Sequence, residues 1–394
     1  MSARSTRPDP ERLETMLGRE TLAVRPHLFA HEGVTLPARL AAQVSAFARD
    51  LDAVVHHPGY VAHLEARTAA GPRPERTPDG VCIALDFHVD GERPRLIEIN
   101  TNAGGGLLAL VAAPAAGWPA AEVDLDEARF IDQFIDAYHE VRHAPPLRAI
   151  ALVDRAPETQ FLAPEFERFV ALVRARGLSA RVADPTALRL SNGRVTIDGE
   201  AMDLVYWRDT DFLFEAPDLD VLRAAWLGGN VVVSPDPLAY TRWADKRNLA
   251  VLSEAAALEA LGVESDLAAR VAAGVPETRI VTAENVDVLW NDRSALFFKP
   301  ITGYGSRGAY RGDKVTQRAF AAVRAGGYVA QRLIPAPRRP ATATGGGPPL
   351  KWDLRAFVQR GEVTGWMCRV YEGQTTNLRT PGGGIGLVAF RTEE

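Results

Sequence analysis

Three stretches of this sequence hold residues whose types and spacing could do chemistry. In PRLIEINTNAGGG, residues 94–106, Glu98 and Asn100 lie two apart on an alternating strand and therefore share a face. Asp86 returns to nearly the same level across the Asp-Gly turn of VDGER. Two carboxylates and an amide oxygen are hard ligands of the kind that hold Mg²⁺ beside a nucleotide phosphate, and the glycines that follow let bare backbone come close to a ligand. The competing reading is an exposed polar face on an edge hairpin. His88, next to Asp86, is a candidate base or ligand, although a lone histidine on a hairpin is more often structural.

The second stretch is FFKPITGYGSRGAY, residues 297–310, in which Lys299 precedes a G-x-G-x-x-G pattern at Gly303, Gly305 and Gly308. A dinucleotide fingerprint needs a helix opening at the third glycine, whereas GAYRGD has the character of a returning strand; the G-K-[ST] order of a P-loop is also absent. A strand, a lysine and a glycine-rich flap point to a lid whose amides, around Gly303, Gly305 and Ser306, hold a triphosphate together with Lys299. A plain flexible hairpin is the alternative. The third stretch, WDLRAFV…WMCRVYEGQTTNLRTPGGG, places Asp353 and Arg355 on one strand face, Arg369 on the partner strand and Asn377 before three more glycines. Cationic forks there could stabilise charge moving through a γ-phosphate, or simply pair with buried acids. In DLVYWRDTDF, Arg208 ends a buried strand, where it could clamp a substrate carboxylate or pair with Asp209 or Asp211. Asn102 and Gly383, in the two glycine-rich turns, are further candidates for substrate contact.

The elements that must position these residues follow from periodicity. Residues 10–70 are expected to be mostly helical, and GVCIALDFHV with PRLIEIN forms a β-hairpin. A helix is expected from about Glu122 to Arg142. From residue 148 to 234 the order is strand, helix, strand, hairpin, strand, helix, strand, a small α/β unit. Then come a helical ADKRNLAVLSEAAALEAL, a short strand at ALFFKP, a Pro/Gly-dense surface loop at 335–349, a hairpin over KWDLRAFVQ and VTGWMCRVY, and a polar, glycine-rich tail. The fold class is α/β with α+β elements, in three units: 1–145, 146–237 and 238–394.

Composition narrows the class further. The chain has 394 residues, 46% of them hydrophobic, a net charge of −5 and a pI near 6.0. No basic footprint for nucleic acid is present, and no apolar run reaches the roughly eighteen residues of a membrane span. Cys82 and Cys368 are far apart in apolar surroundings, and the N-terminal residues carry acids rather than a secretion signal, so a cytoplasmic protein without disulfides is expected. Of the 45 basic residues only four are lysines: Lys246, Lys299, Lys314 and Lys351. In so arginine-rich a chain, a retained lysine is a candidate for work that suits a compact ammonium, such as reaching a phosphate oxygen.

Taken as an ordered set, KP, the glycine-rich flap, AQRLIP, DLRAFV, Arg369, Asn377 and GGG resemble the nucleotide-binding half of ATP-grasp enzymes. In that superfamily the metal strand, of the form D…E-x-N, normally follows the arginine and asparagine; here the matching LDFHVDGERPRLIEINTN precedes them, as a circular permutation would produce. Together with VYWRDTDF and PDPLAYTRWADKRNLAVLS, the order resembles eukaryotic-type glutathione synthetase and, more distantly, glutathionylspermidine synthetase. The resemblance implies an ATP-grasp fold with a central substrate domain. It implies that Lys246, borne on a helix, and Lys299 bind ATP phosphates, and that Gln331, Leu333 and their neighbours form the adenine hinge. Asp353 and Arg355 would border the nucleotide; Asp86, Glu98 and Asn100 would hold Mg²⁺; Arg369 and Asn377 would meet the γ-phosphate; and Arg208 would meet an acid substrate. The acidic metal ligand that the family carries just after its lysine-proline pair is missing from ITGYGSRG. The implied activity is an ATP- and Mg²⁺-dependent carboxylate–amine ligase acting through an acyl phosphate on a small carboxylate, an amino acid or short peptide, and an amine, in a possible homodimer. A small-molecule kinase and a non-catalytic nucleotide-binding protein are the alternatives.

Overall fold

The computed structural model describes residues 4–67, 72–119, 126–302, 308–339 and 349–392. Its centre is a five-stranded sheet that joins distant parts of the chain. Strand Ile83–Asp90 pairs antiparallel with Arg93–Asn100 on one side and with Lys351–Gln359 on the other, and Lys351–Gln359 continues to Glu362–Tyr371 and Gly384–Gly386. Alternation decides what each face does. Leu85, Phe87 and Leu96 face helix Ala38–Val55, whose Leu40, Val44, Phe47 and Leu51 recur at helical spacing and bury against them. Asp86, one residue out of phase, faces the other way into the cleft.

A bulge sharpens this arrangement. Asp86 pairs with Glu98 and Phe87 with Leu96, so Ile97 is an extra residue without a partner opposite it. Its carbonyl turns out of the ladder and accepts a hydrogen bond from Lys299 Nζ at 2.7 Å.

Two smaller sheets flank the centre. Residues 149–234 contain a four-stranded parallel sheet, in the order Val232–Ser234, Leu204–Trp207, Ala149–Val153 and Ser179–Ala183, with helices covering both faces. A four-stranded antiparallel sheet, in the order Thr278–Ile280, Tyr328–Arg332, Leu296–Pro300 and Tyr310–Arg311, closes over the cleft from the other side. The flap therefore does return as a strand: Tyr310 and Arg311 pair with Phe298 and Phe297.

Several expectations need correction. A helix, Gly106–Ala115, starts directly at the glycines, apolar all round and almost wholly buried; it was invisible as a helix because periodicity carries no signal when every face is apolar. The later helix is Glu127–Val141. Lys246 is not in a helix but in the turn between Pro237–Trp243 and Asn248–Leu252. The polar, glycine-rich tail carries two strands: Gly384–Gly386 joins the central sheet, and Val388–Arg391 pairs parallel with Val34–Pro37. Glycine is needed there because a Cβ on Gly384 would stand 2.6 Å from His27 O, and one on Gly386 2.6 Å from Cys368 Sγ.

Candidate active site

The site is built on the cleft face of the central sheet. Asp86, nearly inaccessible at 1% exposure, accepts from Arg355 Nε (2.7 Å) and Nη2 (2.8 Å), from Arg369 Nη2 (2.8 Å) and from Asn100 Nδ2 (2.9 Å). Asp353 takes the other side of Arg369, from Nε at 2.7 Å and Nη2 at 3.0 Å, and the Thr376 hydroxyl at 2.7 Å. Burial opposes ionisation of Asp86, but Arg355 and Arg369 outweigh it and hold its carboxyl below the usual range. Burial likewise works against the charge on Arg369, yet Asp353 and Asp86 prevail and its pKa rises. Asp86, expected among the metal ligands, serves here as the counter-ion of Arg355 and Arg369: Oδ2 accepts from both guanidinium groups and from Asn100, while Oδ1 accepts from Arg355 alone.

Glu98 is placed differently. Its Oε1 meets Lys246 Nζ at 3.1 Å, with three-tenths of its side chain open to the cavity. Burial pushes its carboxyl up, but Lys246 and then Lys299 bring it below its ordinary value. Asn100, having given Nδ2 to Asp86, turns its Oδ1 the other way. Glu98 and Asn100 are thus the members of the set whose oxygens carry no guanidinium. Lys299 is 7% exposed, donates to Ile97 O and to Gln331 Oε1 (2.8 Å), and is pushed down to about 8, chiefly by burial.

Two cavities meet on these residues. A narrow slot is walled by the apolar side chains of Ile97, Phe297, Pro300, Leu333 and Ile334, with His88, Lys299 and Gln331 among its polar groups. A cavity of about 630 Å³ lies beside it, bordered by Asn100, Asn102, Arg208, Arg355 and Asn377. Glu98, Lys246, Arg369 and Thr376 border both. Arg208 stands just past the C-terminal end of strand Leu204–Trp207, beside Asp154 at the end of Ala149–Val153, where parallel sheets present ligands. Burial raises Asp154 to about 6, with Arg208 pulling it back. Arg208 pairs with neither Asp209 nor Asp211; it donates to the Asn102 carbonyl and to Tyr206 Oη, lies 3.9 Å from Glu165, and has no partner on Nε. Asn102 in turn donates to the carbonyls of Arg208 and Asp209, at 3.1 and 3.2 Å.

One candidate moves away from the site. Gly383 is buried against the strand beside it, where a Cβ would lie 2.4 Å from Val370 O, so it is a packing glycine rather than a substrate contact. Of the three glycines after Ala103, Gly104 borders the large cavity, whereas Gly105 and Gly106 are buried away from it. The amides of Gly105 and Leu107 hold the buried Glu165 carboxylate, and a Cβ on Gly104 would meet Arg208 Nη2 at 2.6 Å. Glu165 was missed because it sits in an ordinary amphipathic helix. Gly303, Gly305 and Ser306 lie outside the described residues.

The sequence matches no protein-family model and no curated protein. Solved structures do resemble the fold. A glutathione synthetase-like effector from Globodera pallida, in its apo form, superposes with a TM-score of 0.59 at 12% identity, covering 98% of this chain and 100% of the other. A putative gamma-glutamylcysteine synthetase from Methylobacillus flagellatus gives a TM-score of 0.48 at 10% identity, over 86% and 85% of the two chains. The ATP-grasp ligase PsnB, solved with a precursor variant, Mg and ADP, gives 0.32 at 13% identity, over 62% and 90%. The chain therefore has a mixed α/β fold similar to that of the glutathione synthetase-like effector.

Proposed function

We propose that the protein is an ATP- and Mg²⁺-dependent carboxylate–amine ligase that works through an acyl phosphate and releases ADP and phosphate. The observation that carries this reading is the seam between the two cavities. Lys246, Lys299 and Arg369 gather at the junction of an apolar slot, suited to a planar base, and a large polar cavity, suited to an acid. The triphosphate would cross the seam, with Asn377 and Thr376 at its γ end. Glu98 and Asn100 would hold Mg²⁺, with Asp86 behind them. Bound there, the ion would neutralise phosphate charge.

The chain's own residues would do the rest. The acid would lie against Arg208 in the large cavity and attack the γ-phosphorus, while Lys246, Lys299 and Arg369 stabilise the charge that moves toward ADP. Asp353 and Asp86 keep Arg369 oriented for this task. The amine then adds to the acyl carbon and phosphate leaves. We read residues 1–145, 146–237 and 238–394 as the three working units, with the metal hairpin permuted to the front of the chain.

The test is nucleotide product analysis: ATP, Mg²⁺, pooled amino acids and short peptides, with hydroxylamine as the amine. ADP together with a hydroxamate is expected and names the acid. AMP would sink the reading, and ADP with a stable phosphate ester would assign a kinase. With the acid known, Arg208→Ala should raise its KM at least tenfold while KM for ATP changes little.

A further inference from the structure

The slot that would take the base offers little of its main chain for reading one. The amide of Arg332 donates to Glu277 O at 2.7 Å, and that of Leu333 to Ala295 O at 2.8 Å. Both are therefore spent inside the fold, which leaves Arg332 and Leu333 no amide to turn toward a ligand. Its side chains are committed too: Gln331 accepts from Lys299 on Oε1 and donates from Nε2 to Thr278 Oγ1 at 3.3 Å. Lys299 is a donor only, and Asp86 and Asp353 accept from guanidinium groups.

His88 differs. It shares the cleft wall with Asp86, two residues along the same strand, and lines the slot. Its Nδ1 lies 2.7 Å from Ile334 O, a carbonyl that can only accept, so Nδ1 carries the proton and Nε2 is left with a lone pair. Among the described residues no group bonds to Nε2.

Given the ATP-site reading above, on which this rests, we propose that His88 reads the base: its neutral Nε2 accepts from the exocyclic amine of adenine and rejects guanine. Guanine presents a carbonyl oxygen at that edge, and two facing acceptors with no proton between them leave both buried and unsatisfied. The hydrogen bond from Nδ1–H to Ile334 O fixes the tautomer that makes this selection possible.

Calorimetric titration of the full chain, with Mg²⁺ present, tests it using ADP, GDP and purine riboside 5′-diphosphate, which lacks the exocyclic amine. The wild type should bind ADP about tenfold or more tightly than either of the others, the scale of one good hydrogen bond in a dry site. His88→Phe should bind all three with nearly equal affinity. Should that variant fail to fold, the wild-type comparison of ADP with the amine-free nucleotide still decides. Equal binding of those two by the wild type, or a preference that survives in His88→Phe, would overturn the assignment. Absence of binding by all three nucleotides would overturn the nucleotide site itself, and His88's role with it.

Discussion

At the scale of single residues, the site is a set of charges whose partners decide their roles. Asp86 and Arg355 are buried and Arg369 nearly so, whereas Glu98 is part-open and keeps an oxygen facing the cavity without a guanidinium on it. Glu98→Ala is accordingly expected to abolish turnover while circular dichroism and melting temperature stay close to wild type; turnover within a few-fold of normal would remove Glu98 from the metal set. Lys299 gives a pH signature. Its ammonium is present below about 8 and is lost as pH rises through that value. The terminal phosphate of a nucleotide loses its last proton near or below pH 7, so above that the change in charge is on Lys299, and affinity should fall between about pH 7.5 and 9. In Lys299→Arg, whose guanidinium stays charged, the affinity measured by titration should stay flat over the same interval.

At the scale of elements, the turn between strand Arg93–Asn100 and helix Gly106–Ala115 shows why three glycines stand together. Gly105 has φ of +98°, and a Cβ there would lie 2.9 Å from Met367 Sδ. Gly105→Ala should therefore cost about 1–3 kcal/mol, from the backbone strain plus the contact. Gly91→Ala, at φ +60° with open space around it, should cost less. Urea midpoints would order the two, and a reversed order would mean that the packing argument is wrong. The hairpin, the parallel unit and the final hairpin were all visible from alternation and turn residues, because each has one buried face or a short apolar run bounded by Gly, Pro or Asp. Helix Gly106–Ala115 was hidden because it has no polar face.

At the scale of the whole molecule, the first and last parts of the chain hold each other. Val34–Pro37 and Val388–Arg391 form a parallel pair, and Phe29 bridges to Ile385. A chain ended after Leu387 should melt at a lower temperature, by several degrees, and expose the Ala38–Val55 helix to faster hydrogen exchange, since Val388 belongs to the core that this helix shares with the central sheet. Unchanged melting would show the pair to be peripheral. The same long-range closure brings Arg355 and Arg369 onto Asp86, pairs separated by 269 and 283 positions in sequence.

Period, turn chemistry and residue type determined the two hairpins, the strands of the parallel unit, the parity of Glu98 and Asn100 and the level of Asp86 opposite Glu98, while Lys246 was placed by the resemblance and the strands Val34–Pro37, Gly384–Gly386 and Val388–Arg391 were not legible. Only the tertiary structure decided which acids are spent on arginines, that Glu165 fills the amides of the glycine turn, that Gly383 packs instead of opening, and that His88 keeps a free nitrogen in the slot. Each of those is a question of which partner arrives first within hydrogen-bond reach. Many of the partners come from distant segments, 60 positions apart for Gly105 and Glu165, 246 for His88 and Ile334 and 269 for Asp86 and Arg355, whose meeting no local pattern encodes.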